Sequence, residues 1–294
     1  MITTTPANWT YTAQRGYFTH DTDPANWTFR ATTQPNLGLL SIEYPTDIQF
    51  DPSRQKSQWQ RFTHYLNTLN LAGPTHKRYK LLYLIRHGQG THNVKETEVG
   101  REEWNSHWAK LSSDGMTVWE DAELTAAGEQ QAKDIATFFA KGDVPGPERI
   151  YSSPLRRCLR TTELAYPSSM TSNPPIIKEN LRERLGVHTC DKRSTKTWIT
   201  DTFPDFVVEM GFTEEDELWR ADVRESLEEH IVRVRKLLDE IFDDQEGEQG
   251  GDAIMSLTAH SGAIMTLFRA MGWGRVPVAA GAVYPLLVCA EKEK

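Results

Sequence analysis

The chain has 294 residues, 25% of them charged and 38% hydrophobic, which suits a folded domain with a substantial core and excludes a disordered or membrane-embedded class. No apolar stretch reaches the roughly 18 residues of a spanning helix, and MITTTPANWT has no apolar signal core, so an intracellular, cytoplasmic protein with no membrane partner is expected. The net charge of −8 argues against nucleic acid as a partner, because its phosphates would be repelled at long range.

The first 55 residues show no helical or strand period but are rich in rings, among them Trp9, Tyr11, Tyr17, Phe18, Trp27 and Phe29. They read as an arm packed over the main domain, and the two copies of ANWT, at 7 to 10 and 25 to 28, are too few for a repeat architecture. Between Lys56 and Asn70, the residues Trp59, Phe62, Leu66 and Leu69 recur at helical spacing, and Gly73-Pro74 ends the element. The apolar run Tyr79 to Ile85 predicts a strand buried on both faces, as in a parallel sheet.

From Leu124 the pattern turns helical, with Thr125 as a cap and Ala132, Ile135, Ala136 and Phe139 as the stripe. Arg149 to Ser152 is a short strand, and Pro154 is placed as an early residue of a helix running to Ala165. Ile176 and Ile177 mark another strand, followed by an irregular stretch to about residue 212. Ser226 and Glu229 have capping-box spacing before a helix whose stripe is Leu227, Ile231, Val234, Leu238 and Ile241. A polar, glycine-rich linker spans 245 to 252. Ala253 to Thr258 then predicts a strand, Ser261 to Met271 a helix, and Ala282 to Ala290 a last strand.

Strands alternating with helices predict an α/β three-layer sandwich, a mostly parallel sheet with helices on both faces. Functional groups in such a sheet gather where strands end. Three segments place a basic side chain there: Ile85-Arg86-His87-Gly88, Tyr151-Ser152-Ser153-Pro154-Leu155-Arg156-Arg157 and Thr258-Ala259-His260-Ser261-Gly262. If these ends lie side by side, Arg86, His87, Arg157 and His260 converge on one small anionic group. Guanidinium forks match phosphate oxygens and keep their charge at any relevant pH. An imidazole among such cations resists protonation and keeps a lone pair for nucleophilic attack.

Four motifs occur in order: R-H-G at 86 to 88 with Asn93 six residues after the histidine, L-T-x-x-G-x-x-Q-A at 124 to 132, S-S-P-L-x-R-x-x-x-T at 152 to 161, and A-H-S-G at 259 to 262. Together they resemble the histidine phosphatase superfamily, in its phosphoglycerate-mutase-like branch, over roughly residues 80 to 290. The resemblance implies that His87 is the phosphorylated histidine, Arg86 and Arg157 the phosphate-clamping arginines, His260 the second active-site histidine and Asn93 a polar phosphate contact. It places the acid/base carboxylate at Glu183, with Asp191, Glu214, Glu215 and Asp216 as rivals. Leu185-Gly186-Val187-His188 departs from the E-R-H-Y-G of true phosphoglycerate mutases, which counts against mutase activity.

The expected function is therefore a metal-independent phosphatase acting on a small-molecule phosphate ester through a phosphohistidine, with no cofactor. The alternatives are a phosphotransfer mutase and a noncatalytic phospholigand-binding member of the fold. No metal-binding set is recognisable, and Cys158, Cys190 and Cys289 are expected as reduced thiols. Arg156, Arg160, His92 and His188 remain ambiguous between substrate contact and structure.

The chain is expected to form one domain over 1 to 294, with an N-terminal arm and helix at 1 to 78 and cap insertions at 92 to 123 and 187 to 225. The insertions carry Trp104, Trp108, Trp119, Trp198, Phe203, Phe206 and Trp219. These rings either select an apolar leaving group or only pack the cap.

Overall fold

Leu81, Leu82, Tyr83, Leu84 and Ile85 are all fully buried, and alternation along the strand explains how. Leu82 and Leu84 face one core layer with Leu237, Leu238, Ile264 and Leu267, while Leu81, Tyr83 and Ile85 face the other with Phe62, Leu66, Ile135 and Phe139. Successive side chains of a strand point to opposite faces, so an unbroken apolar run satisfies two layers at once. Each such side chain contributes about 1.5–3 kcal/mol of transfer free energy.

The computed structural model describes residues 9–21, 33–142, 144–243 and 252–292. Trp27, Phe29, the second ANWT copy and nearly all of the glycine-rich linker lie outside the described residues. The strands are β1 (Trp9–Ala13), β2 (Lys77–Arg86), β3 (Arg149–Ser152), β4 (Ile176–Ile177), β5 (Val207–Val208), β6 (Ile254–Ala259) and β7 (Val283–Lys292). They form one sheet in the order β1-β7-β2-β6-β3-β4-β5. Only β7 runs against its neighbours, β1 and β2; the other pairings are parallel. The chain is thus an α/β protein with a mostly parallel sheet between helical layers.

Local chemistry sets the helix starts. Ser57 and Gln60 form a reciprocal box at the start of Gln58–Ala72, Thr125 Oγ1 accepts the Gly128 N–H at 3.1 Å before Ala126–Ala140, and Ser226 and Glu229 cap Leu227–Asp243.

Three expectations need correction. The arm does more than pack over the domain, because Trp9, Tyr11 and Ala13 alternate buried with exposed Thr10 and Thr12, and β1 completes the sheet against β7. Pro154 lies before its helix, which starts at Arg156 after Leu155 in extended geometry. The stretch after Ile177 is less irregular than expected: it holds the helix Lys196–Thr202 and returns Val207–Val208 to the sheet edge as β5.

The register aligns the strand ends that carry the candidate site residues. Arg86 pairs with Ala259, while Ile85 and Ser152 both pair with Thr258. His87, Ser153 and His260 therefore leave the sheet side by side.

Segments 92 to 123 and 187 to 225 meet beside this edge. Trp104, Ala109, Trp119 and Ala122 pack around Cys190, and Thr189 donates its hydroxyl to the Leu111 carbonyl at 2.6 Å. Phe203 and Phe206 pack with Leu159 and Ile177, and Trp198 lies against them. The Trp219 indole donates to the His188 carbonyl at 2.9 Å. These rings pack the insertions together and against the sheet edge.

Candidate active site

The loop after β2 turns sharply because Gly88 and Gly128 meet backbone to backbone. A Cβ on Gly88 would overlap the Gly128 carbonyl, and one on Gly128 would overlap Gln89. This contact joins the R-H-G segment to the start of the Ala126–Ala140 helix and explains the glycine in each motif.

His87 is 3% exposed. Its Nδ1 lies 2.7 Å from the Gly88 carbonyl, which can only accept, so Nδ1 carries the hydrogen and Nε2 holds the lone pair. The Nε–H of Arg157 donates to that lone pair at 3.3 Å. Burial, with the charges of Arg157 and Arg86, holds the imidazole well below its ordinary pKa. The imidazole is thus neutral and oriented, with its lone pair at Nε2.

The ring of His260 is centred 5.1 Å from that of His87. Its Nε2 pairs with the Ser153 hydroxyl at 2.8 Å, and the Cys158 thiol lies 3.4 Å away. Burial first, then Arg157, keeps this imidazole neutral too. Burial pushes the Cys158 thiol above its usual range, which leaves it without thiolate character.

Arg86 donates Nη1 to the Val278 carbonyl at 3.1 Å, while its buried Nε has no hydrogen-bond partner among the described residues. A buried cationic donor left unpaired suits an incoming oxyanion. Asn93 uses Oδ1 to accept the Gly90 N–H at 3.0 Å, capping the helix Thr91–Val99. Its amide hydrogens remain as the donors it can offer a ligand.

Glu183 lies against the helix that follows His260. Gly262 N–H donates to Oε2 at 2.8 Å and Arg184 N–H to Oε1 at 3.0 Å. Burial, then the charge of Asp191, raises its pKa above the ordinary carboxylate value against those two bonds. The rivals are placed otherwise. Asp216 accepts from the buried Arg182 guanidinium at 2.8 Å, and Glu214 and Glu215 are exposed. Asp191 accepts from Arg157 at 3.1 Å and Arg224 at 2.9 Å; burial opposes its charge, but these guanidiniums hold its carboxyl below the usual range. Two carboxyl groups pushed in opposite directions make one suited to proton transfer and the other to a fixed negative charge.

The ambiguous residues separate. Arg156 pairs with Glu123 and covers the Trp198 ring, and Arg160 pairs with Glu129 at 2.8 Å and Glu163 at 2.6 Å. Both line an open groove of about 360 Å³ with Trp198 and Phe203, whose lining does not include His87. His92 lies within the site, its ring centred 5.6 Å from His87, with Nδ1 unpartnered among the described residues. His188 has Nδ1 4.0 Å from Asp191. Together with Cys190 these two could ligate a cation, but Arg157 and Arg224 already engage both Asp191 oxygens and would repel one.

Sequence reading missed the hydroxyl of Ser153, whose signal was its place in the S-S-P motif. It also missed Arg224, 33 residues from its partner Asp191 and outside every motif.

A family model of the histidine phosphatase superfamily (branch 1) matches residues 82–281. Over 286 residues the chain is 39% identical to a probable phosphoglycerate mutase of Arthroderma benhamiae, covering 95% of this chain and 84% of that protein. Over 213 residues it is 39% identical to phosphomutase-like protein 3 of Candida albicans, covering 72% of this chain and 66% of that one. The solved structure of a mycobacterial glucosyl-3-phosphoglycerate phosphatase shares 25% identity at a TM-score of 0.42, over 70% of this chain and 88% of that one. The family match, the relatives and the paired strand-end histidines agree, and the chain belongs to the histidine phosphatase superfamily.

Proposed function

We propose that the protein is a phosphatase that hydrolyses a small-molecule phosphate ester by two in-line transfers through His87, with no metal. The observation that carries this reading is the state of His87: a buried neutral imidazole, its tautomer fixed by the Gly88 carbonyl, its lone pair facing Arg157.

In the first transfer Nε2 attacks phosphorus. A P–N bond forms as the P–O ester bond breaks, and the departing oxygen takes the bonding pair and a proton from Glu183. In the second, water attacks phosphorus and gives its proton to the Glu183 carboxylate; the P–N pair returns to Nε2 as orthophosphate leaves. Arg86, Arg157 and His260 stabilise the charge on the equatorial oxygens, a preorganised contribution of several kcal/mol. The Arg157 Nε–H passes from Nε2 to the phosphoryl group, freeing the nucleophile as substrate binds. Glu183 adds about 10² to 10⁴ in rate as acid and base.

The names of the Arthroderma and Candida relatives favour a second reading, a phosphotransfer mutase. It shares the first transfer and differs in what attacks the phosphohistidine: a substrate hydroxyl in place of water. A panel of phosphorylated metabolites, assayed with chelator present and beside His87→Ala, tests the proposal. Orthophosphate release that survives chelator and vanishes in the variant is expected. Release that persists in His87→Ala, or stops with chelator, contradicts it. Transfer of the phosphoryl group to a second hydroxyl without net release supports the mutase, and ligand binding without turnover indicates a noncatalytic member.

A further inference from the structure

Arg157 is pinned from two sides. Its Nε–H meets His87, while Nη1 donates to the Cys190 carbonyl at 2.6 Å and Nη2 to Asp191 Oδ1 at 3.1 Å. A guanidinium has five N–H groups, so two are left for a ligand. Asp191 is 3% exposed and is itself anchored. Its Oδ2 accepts Arg224 Nη1 at 2.9 Å, and that nitrogen also donates to the carbonyls of Gly186 at 2.6 Å and Arg184 at 2.9 Å. Val187 N–H bonds the Arg220 carbonyl at 2.8 Å, which ties the two ends of the insertion together around this carboxylate.

We infer that Asp191, carried by the 187 to 225 insertion, is a positioning residue that holds the Arg157 guanidinium in its phosphate-binding orientation, with Arg224 fixing Asp191 in turn. The inference rests on the phosphatase reading above. A buried ion pair adds little to stability compared with well-packed apolar side chains of the same volume, so its presence against the reactive imidazole points to orientation. An arginine loses much rotamer freedom when fixed, and two acceptors beyond the fork remove that freedom before substrate arrives. The insertion thereby becomes part of the phosphate site, beyond any role in covering it.

The test is a double-mutant cycle read by binding of inorganic phosphate, using isothermal titration of the full chain. The four proteins are the parent, Asp191→Asn, Arg157→Lys and the double variant. Asp191→Asn is expected to weaken phosphate binding about tenfold in the parent, and less than about twofold once Arg157 is lysine, because interacting pairs are non-additive. Equal losses in both backgrounds, or no loss in the parent, overturn the inference, since a merely structural role acts alike in both. If Asp191→Asn does not fold, the same cycle with Asp191→Glu, which keeps the charge and moves the carboxylate by one methylene, decides between the same outcomes. A parent protein that binds no phosphate and hydrolyses no ester overturns the phosphatase reading along with the inference. An additive cycle in an active parent overturns the inference alone.

Discussion

Replacing Glu183 with glutamine would separate the two jobs proposed for one side chain. Both carboxylate oxygens accept backbone N–H groups, from Gly262 at 2.8 Å and Arg184 at 3.0 Å. A carboxamide has one accepting oxygen, so Glu183→Gln must set its NH2 against one of those donors. An unsatisfied buried donor costs about 1–3 kcal/mol. For a chain of 294 residues the melting temperature should fall by roughly 1.6 °C for each kcal/mol. The catalytic effect is larger and depends on the leaving group. An alkyl phosphate needs its departing oxygen protonated, and losing the acid should lower its turnover about 10² to 10⁴-fold, or roughly 3–5 kcal/mol of barrier. A nitrophenyl phosphate leaves as a stabilised anion and should lose far less. Parallel measurement of kcat for both substrates, with thermal unfolding of each protein, gives the comparison. Equal losses on the two substrates would refute the proton-transfer role and leave Glu183 as a helix-capping carboxylate.

Gly262→Ala should act on the same carboxylate from the other side, because a Cβ at 262 would overlap the Glu183 carboxylate. Turnover of alkyl phosphates is expected to fall on the order of 10²-fold, with a melting-temperature loss comparable to that of Glu183→Gln because the same N–H donors lose their acceptor, and unchanged kinetics would show that the carboxylate moves freely. Acid should destabilise the fold through its buried imidazoles. Burial lowers the pKa of His20 and His188 to about 4 and that of His230 to about 3, against roughly 6.5 in an unfolded chain. With the folded value depressed, the stability is present above pH ~6.5 and lost as pH falls toward ~4, at up to about 1.4 kcal/mol per pH unit for each group. Asp21, Asp121 and Glu183, whose pKa values are raised, offset part of this loss. Melting curves between pH 7 and 5 should show a declining midpoint; a flat profile contradicts the assignment of these rings as neutral.

How much of this was legible in the sequence follows from where each signal is stored. The strand Tyr79 to Ile85 was readable because both its faces are buried, so every residue in the run is apolar. The convergence of His87 and His260 was readable because each follows directly on a strand of a parallel sheet, and register does the rest. Strand β1 was obscured by its short alternation WTYTA within a segment of no other period, and β5, two residues long, carries no pattern of its own. The link from Asp191 to Arg157 spans 34 positions and depends on how an insertion folds back, which no local pattern encodes. The aromatic residues of the insertions left lining and packing open, because composition does not distinguish a ring that lines a pocket from one that packs, as Trp104 and Trp119 do.

The most direct test of the account is to stop a reaction with a turned-over ester before it completes and locate phosphate on the intact protein by mass spectrometry. The account predicts an acid-labile phosphoryl group on the His87 ring, discharged to orthophosphate when water is the only acceptor. Turnover with no phosphoprotein at any time, or with the phosphate on another side chain such as Ser153 or His260, would contradict it.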